Sequence, residues 1–101
     1  MAHKFNVAPA ETLSANKTFT QAEVDEYTIF NIDPNGARDL TLPAVAANEG
    51  QFLIVKNSAG GAEVMTFKNV GGDTIVTPTQ NESAILWCDG TVWAGIAGAN
   101  S

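Results

Sequence analysis

The chain has a single thiol, Cys88, and a single imidazole, His3. A nucleophilic site needs a base beside its hydroxyl or thiol. His3 falls in a stretch that reads as an arm and would have to fold back across the domain to serve Cys88. The sequence is therefore read as non-enzymatic, with Cys88 packed as a small apolar residue. One cysteine and one histidine make no zinc set. Glu23, Asp25 and Glu26 could suggest a cation site, but with no further ligands nearby in sequence they read as a solvated face. The run Asn31-Ile32-Asp33-Pro34-Asn35-Gly36 opens like a calcium loop, yet the twelfth position, which needs a bidentate glutamate, is Leu42. Asp33-Pro34-Asn35-Gly36 is better explained as a turn, with proline fixing φ and Asn-Gly taking positive φ. The pairs Gly60-Gly61 and Gly71-Gly72 lack the Gly-Lys-Ser/Thr ending of a phosphate loop and read as flexible turns. Paired carboxylates could in principle hydrolyse glycosidic bonds, but the turns are too short for a glycan cleft. No catalytic residue, cofactor or metal is expected.

Without a reactive centre, the elements and surfaces have to carry the functional argument. A chain of 101 residues is one domain. A domain this small buries only about 60 to 65% of the surface its unfolded chain exposes, so disulfides, a metal or oligomerisation usually help it. The first two are not expected, which leaves association. The net charge is -6, and Lys4, Lys17, Arg38, Lys56 and Lys68 are scattered rather than grouped in a stripe. Nucleic-acid binding is not expected. No apolar run reaches the roughly 20 residues of a membrane helix, and the first residues lack a secretory h-region. The expectation is a soluble protein made in a cytoplasm, with no membrane partner.

Residues 1–16 show no sustained period and contain Pro9, so they read as an N-terminal extended arm; residues 17–101 read as a single β domain. Phe5, Val7 and Leu13 are apolar, which suggests an arm docked on a neighbouring subunit or another protein, the alternative being a frayed terminus. Strands are expected at 18–20, 27–32, 38–42, 51–57, 62–68, 74–77 and on both arms of a hairpin around Asp89-Gly90. The stretch at 21–26 reads as one helical turn or a connection, and 44–50 as the only plausible helix. Phe52-Leu53-Ile54-Val55 is the most strongly apolar strand, expected to be central and buried on both faces, with 62–68 returning as its partner. The hairpin is expected to close through a two-residue type I′ turn, and Trp87 and Trp93 on its arms to gather the earlier strands. Strands recurring every 8 to 12 residues predict an all-β fold, a compact antiparallel β-sandwich or small barrel.

The ordered set Leu40-Thr41-Leu42-Pro43-Ala44, then Asn48-Glu49-Gly50-Gln51-Phe52-Leu53-Ile54-Val55-Lys56-Asn57, then Met65-Thr66-Phe67, then Gly72-Asp73-Thr74-Ile75, then Ala84-Ile85-Leu86-Trp87-Cys88-Asp89-Gly90-Thr91-Val92-Trp93 resembles a β module of tailed-bacteriophage virion proteins. It spans about residues 27 to 96. The resemblance implies a compact, often trimeric β domain of tail fibres, tail tips or small capsid-bound proteins, and it carries over no catalytic residues. Because the reading frame runs from Met1 to Ser101 with no shaft or attachment part, the chain looks most like a capsid decoration (cement) protein on the outer surface of the head. Its expected partners are the major capsid protein and copies of itself in a homotrimer. Phe5, Val7, Leu13 and Trp93 are the expected contact residues, although Trp93 could equally be ordinary core. The rival expectation is a tail-fibre tip or knob that binds host-surface glycan.

Overall fold

The structure, a computed structural model, describes residues 4–99. His3 lies outside them. Among the described residues nine strands form two mixed sheets. In chain order they are β1 Glu11–Thr12, β2 Lys17–Thr18, β3 Ile29–Asp33, β4 Arg38–Thr41, β5 Phe52–Asn57, β6 Met65–Lys68, β7 Thr74–Val76, β8 Glu82–Cys88 and β9 Trp93–Ala99. The five-stranded sheet has the order β1-β3-β5-β8-β9, and the four-stranded sheet the order β2-β4-β6-β7.

From β1 to β6 the chain alternates between the sheets, so each pass lays its strands parallel to those of the pass before, like the coils of a short solenoid. β1, β3 and β5 pair in parallel in one sheet, and β2, β4 and β6 in the other. Antiparallel pairing is confined to the last strands, β5 with β8, β8 with β9 and β6 with β7. The expected all-antiparallel sandwich or barrel is thus corrected: the fold is mainly β, but it has two mixed sheets and no closed barrel. Residues 62–68 do not return beside β5; β6 crosses to the other sheet and joins β4 and β7. Short turns mislead here because they lead from one sheet to the other instead of folding a strand back on itself.

The turn at 33–36 takes the form its residues dictate. Asn35 (φ 51°) and Gly36 (φ 128°) hold positive φ, and Asp33 Oδ1 accepts from the Asn35 N–H at 2.9 Å. Arg38 fixes it further, donating from Nε to the Pro34 carbonyl at 2.9 Å and from Nη2 to that of Asn35 at 2.8 Å.

The α-helix, α1, is Gln21–Glu26, and the 44–50 stretch forms only a 3-10 turn at Val45–Ala47. Thr20 and Glu23 make a capping box: Thr20 Oγ1 accepts from the Glu23 N–H, and the Glu23 carboxylate accepts from the Thr20 N–H. Val24 is the helix's buried residue. Buried Asn48 ties α1 to the 3-10 turn by exchanging two amide hydrogen bonds with Gln21, each 2.9 Å.

The core draws on both sheets: Phe30, Ile32, Leu53, Val55, Ala84 and Leu86 from the five-stranded one meet Leu40, Met65 and Phe67 from the other. Phe19 joins them, its ring stacked at 6.2 Å on Phe67 and edge-on at 5.3 Å to Phe30.

Lys17 links the first strands of the two sheets. Its ammonium lies 3.2 Å from Glu11 and 2.8 Å from Glu23, with the side chain only 11% exposed. Burial opposes the charge on both Lys17 and Glu23, but their mutual hydrogen bond and attraction, with Glu11 and the Thr20 N–H contributing, outweigh it. The Lys17 pKa is raised and that of Glu23 lowered. Glu23 therefore contributes stability above its unfolded value of 4.5, lost as pH falls through its lower folded pKa; Lys17 contributes below 10.5, lost as pH rises through its higher one. Lys17→Met should lower stability by ~1 kcal/mol at pH 7. Melting curves from pH 7 to 2 should show that gap narrowing below pH 4.5; a constant gap would mean that the pairing with Glu23 adds nothing and that the ammonium acts through the Phe19 ring, 5.0 Å from it.

Candidate functional site

β5 is central in its sheet but not buried on both faces. Leu53, Val55 and Asn57 point into the core, while Phe52 is 39% exposed and Ile54 half-buried on the outer side. A strand with one wet face ordinarily alternates apolar and polar residues. Here both faces are apolar, and the register shows that the neighbouring strands share the pattern.

Ile29 stands beside Ile54, Ile54 beside Ile85, and Ile85 beside Ile96. Val7, in an isolated parallel bridge to Ile29, extends the row beyond β3. An aliphatic ladder thus crosses the outer face from residue 7 to β9. One step along, Phe52 pairs with Trp87 and Trp87 with Ala94. The Phe5 ring lies 6.4 Å from that of Phe52, at the same edge of the patch. Phe5 (58%), Val7 (53%), Trp87 (38%) and Ile96 (59%) remain exposed. Neither row contains a carboxylate, although the chain has eleven; the next row is polar, with Asn31, Lys56, Ser83 and Gly98.

The expected contact residues divide between surface and core. Phe5 and Val7 lie on the apolar face. Leu13 and Trp93, each 5% exposed, belong to the core, and the Trp93 indole N–H donates to the Pro43 carbonyl at 2.8 Å. The stretch read as an arm runs along its own sheet: the Ala8 N–H donates to the Ile29 carbonyl at 2.8 Å, and the Leu13 N–H to that of Asp33 at 2.9 Å. Sequence reasoning missed Ile29, Phe52, Ile54, Ile85, Trp87 and Ile96 as surface residues. The available signal was the lack of alternation in 52–55 and in 84–87.

The hairpin is also rearranged. Cys88 pairs with Trp93, so residues 89–92 form a four-residue loop in place of the expected two-residue turn. The Asp89 carboxylate accepts from the N–H groups of Thr91 (2.8 Å) and Val92 (2.9 Å), and these backbone hydrogen bonds hold its pKa below the usual carboxylate range. The hairpin is not the centre of the sheet, since β9 forms its edge. Val92 and Val70 border an apolar cleft of about 280 Å³ beside Pro43, Val45 and Trp93.

Among the described residues no group of three or more His, Cys, Asp or Glu side chains could hold a metal ion. Glu23 is engaged with Lys17, and Asp25 accepts from Gln21 and Gln51. Cys88 is buried in the core. No helix among the described residues is long and apolar enough to cross a membrane. Comparisons of the chain with protein-family models, with curated proteins and with solved structures find no match.

Proposed function

We propose that the protein is a phage capsid decoration protein, which lays the apolar face of its five-stranded sheet on the outside of the assembled head and reinforces it by bridging major capsid subunits. The observation that carries this reading is the aliphatic ladder Val7-Ile29-Ile54-Ile85-Ile96 with the aromatic row beside it. A contiguous exposed apolar patch marks an interaction surface, and the aromatic residues Phe52 and Trp87 are the kind that anchor one. The ordered resemblance to phage virion modules supplies the choice of partner. Docking on a repeating lattice of capsid subunits suits a broad, flat face better than a deep pocket.

The test is co-sedimentation with expanded empty heads of the phage that carries the protein, alongside binding to whole host cells. Stoichiometric binding to heads is expected. Trp87→Thr should weaken it about tenfold, equivalent to ~1.4 kcal/mol; the melting temperature should fall, because more than half of the indole is covered by its own chain, but the variant should stay folded, as circular dichroism checks, since threonine suits a strand. Binding to cells and not to heads would favour the tail-fibre tip, the second reading of the same resemblance. Head binding that is unchanged in Trp87→Thr would remove the sheet face from the proposal.

A further inference from the structure

The sheets have four edges, and three are blunted. β1 and β2 are two residues long, with Lys17 of β2 locked between Glu11 and Glu23. β7 has three residues and meets β6 through a register shift at Phe67/Lys68. The fourth edge is different. β9 is seven residues long, Trp-Ala-Gly-Ile-Ala-Gly-Ala, with neither a charge nor a proline, and no strand among the described residues pairs with its outer side. Proteins normally protect such an edge with charges, proline or a bulge, because its free N–H and C=O groups template another strand.

We propose that β9 pairs antiparallel with β9 of a second copy across a two-fold axis, joining two five-stranded sheets into one of ten strands. Two features of the strand specify that occupant, its ladder phase and its lack of charge. Hydrogen bonding along an antiparallel ladder alternates. The Asp89 N–H donates to the Val92 carbonyl and the Cys88 N–H to that of Gln51, so the 88–93 pair bonds away from β9 and the N–H and C=O groups of 93, 95, 97 and 99 face the free edge. A two-fold axis at Ile96, the central residue, then sets Trp93 opposite Ala99 of the second copy and Gly95 opposite Ala97, with the bonding groups of both strands aligned over the full length. Ile96 meets its own counterpart, and the ladder of one copy runs on into that of the other. Gly98 is compatible with this arrangement without specifying it: a Cβ there would meet nothing within 4 Å of its own chain and would project from the face of the sheet, clear of a paired strand. Gly95, by contrast, is required internally, since its Cβ would lie 2.9 Å from the Ile85 carbonyl oxygen. Charge points the same way. A chain of net charge -6 repels its copies, and β9 is an edge free of carboxylates.

This inference stands apart from the virion reading, needs no capsid, and predicts a two-fold pair where the family resemblance implies a trimer. The experiment is sedimentation equilibrium of the purified full chain over micromolar concentrations, since an edge contact falls below the standard interface of about 800 Å² per partner. The mass should rise from 10.6 kDa toward twice that value. Ala97→Pro, which removes an edge-facing N–H, and Ile96→Lys, which sets like charges opposite each other, should both stay monomeric with unchanged circular dichroism. Ile54→Lys, on the face but away from the edge, should still dimerise. If Ala97→Pro fails to fold, Ile96→Lys and Ile54→Lys decide the matter. A monomer at every concentration, a threefold mass, dimers that persist in folded edge variants, or loss of the dimer in Ile54→Lys would each overturn the proposal.

Discussion

Trp93→Ala is expected to destabilise the protein by about 3–5 kcal/mol, the range for deleting a large aromatic from a packed core. Domains of this size have roughly 5–15 kcal/mol of stability in total, so the variant should be partly or wholly unfolded at 37 °C. The reason lies in its double attachment. The ring belongs to the core cluster, and its N–H reaches the Pro43 carbonyl across fifty residues of chain, holding the 43–46 segment against β9. Trp93→Phe keeps most of the apolar area but leaves that carbonyl without its donor, and should cost only about 1–2 kcal/mol. Urea titration followed by circular dichroism reads both values from the midpoint, provided the slope is unchanged. The comparison also separates the two tryptophans. If the protein binds heads as proposed, Trp93→Ala should lose that binding because it loses the fold, whereas Trp87→Thr should weaken it while folded. A Trp93→Ala protein with wild-type stability and no head binding would return Trp93 to the role of a contact residue.

That tryptophan illustrates what the sequence could and could not reveal. Residue type identified Trp93, Leu13, Phe5 and Val7 as apolar side chains in need of cover, but not whether the cover came from their own chain. Two proved to be core and two surface. Strand positions were legible because alternation and turn residues are local: Leu40 and Leu42 share a buried face as their spacing requires, and Asn35-Gly36 turns as its φ preferences require. Strand partners were not legible. An inward-facing row looks the same in sequence whether its neighbour is the next strand or the one after it, so the parallel winding of β1 to β6 left no mark. The aliphatic ladder was hidden for the same reason. Ile29, Ile54, Ile85 and Ile96 are widely and unevenly spaced in sequence, and only the pairing register brings them into line. The helical alternative at 21–26 is the one the structure takes, and its local signal is the capping box at Thr20 and Glu23.

Asn57→Ala should be about as damaging as Trp93→Ala, again about 3–5 kcal/mol, though no large apolar side chain is lost. Asn57 is fully buried at the end of β5. Its Nδ2 donates to the carbonyls of Glu63 (2.9 Å) and Pro78 (3.1 Å), and its Oδ1 accepts from the Ala59 N–H at 3.0 Å. Its backbone carbonyl accepts from the Asn81 N–H at 3.1 Å. One side chain thus fastens the loop that leaves β5 to the loop that enters β8. Alanine would take the donor from the Glu63 carbonyl and the acceptor from the Ala59 N–H, each costing about 1–3 kcal/mol, while the Pro78 carbonyl would keep only the Met65 N–H at 3.1 Å. Asn57→Asp distinguishes this account from simple loss of volume, because the shape is kept while the donor is replaced by an acceptor aimed at two carbonyls. Burial and those carbonyls should raise the folded-state pKa of the new carboxyl above its ordinary value near 4. The destabilisation should be complete above that folded pKa and should shrink as pH falls through it and the carboxyl regains a proton to donate. Urea midpoints at pH 8 and pH 5 should therefore converge toward wild type for Asn57→Asp and stay equally displaced for Asn57→Ala. A displacement below about 1 kcal/mol in both variants would mean that the loops hold their places without this side chain.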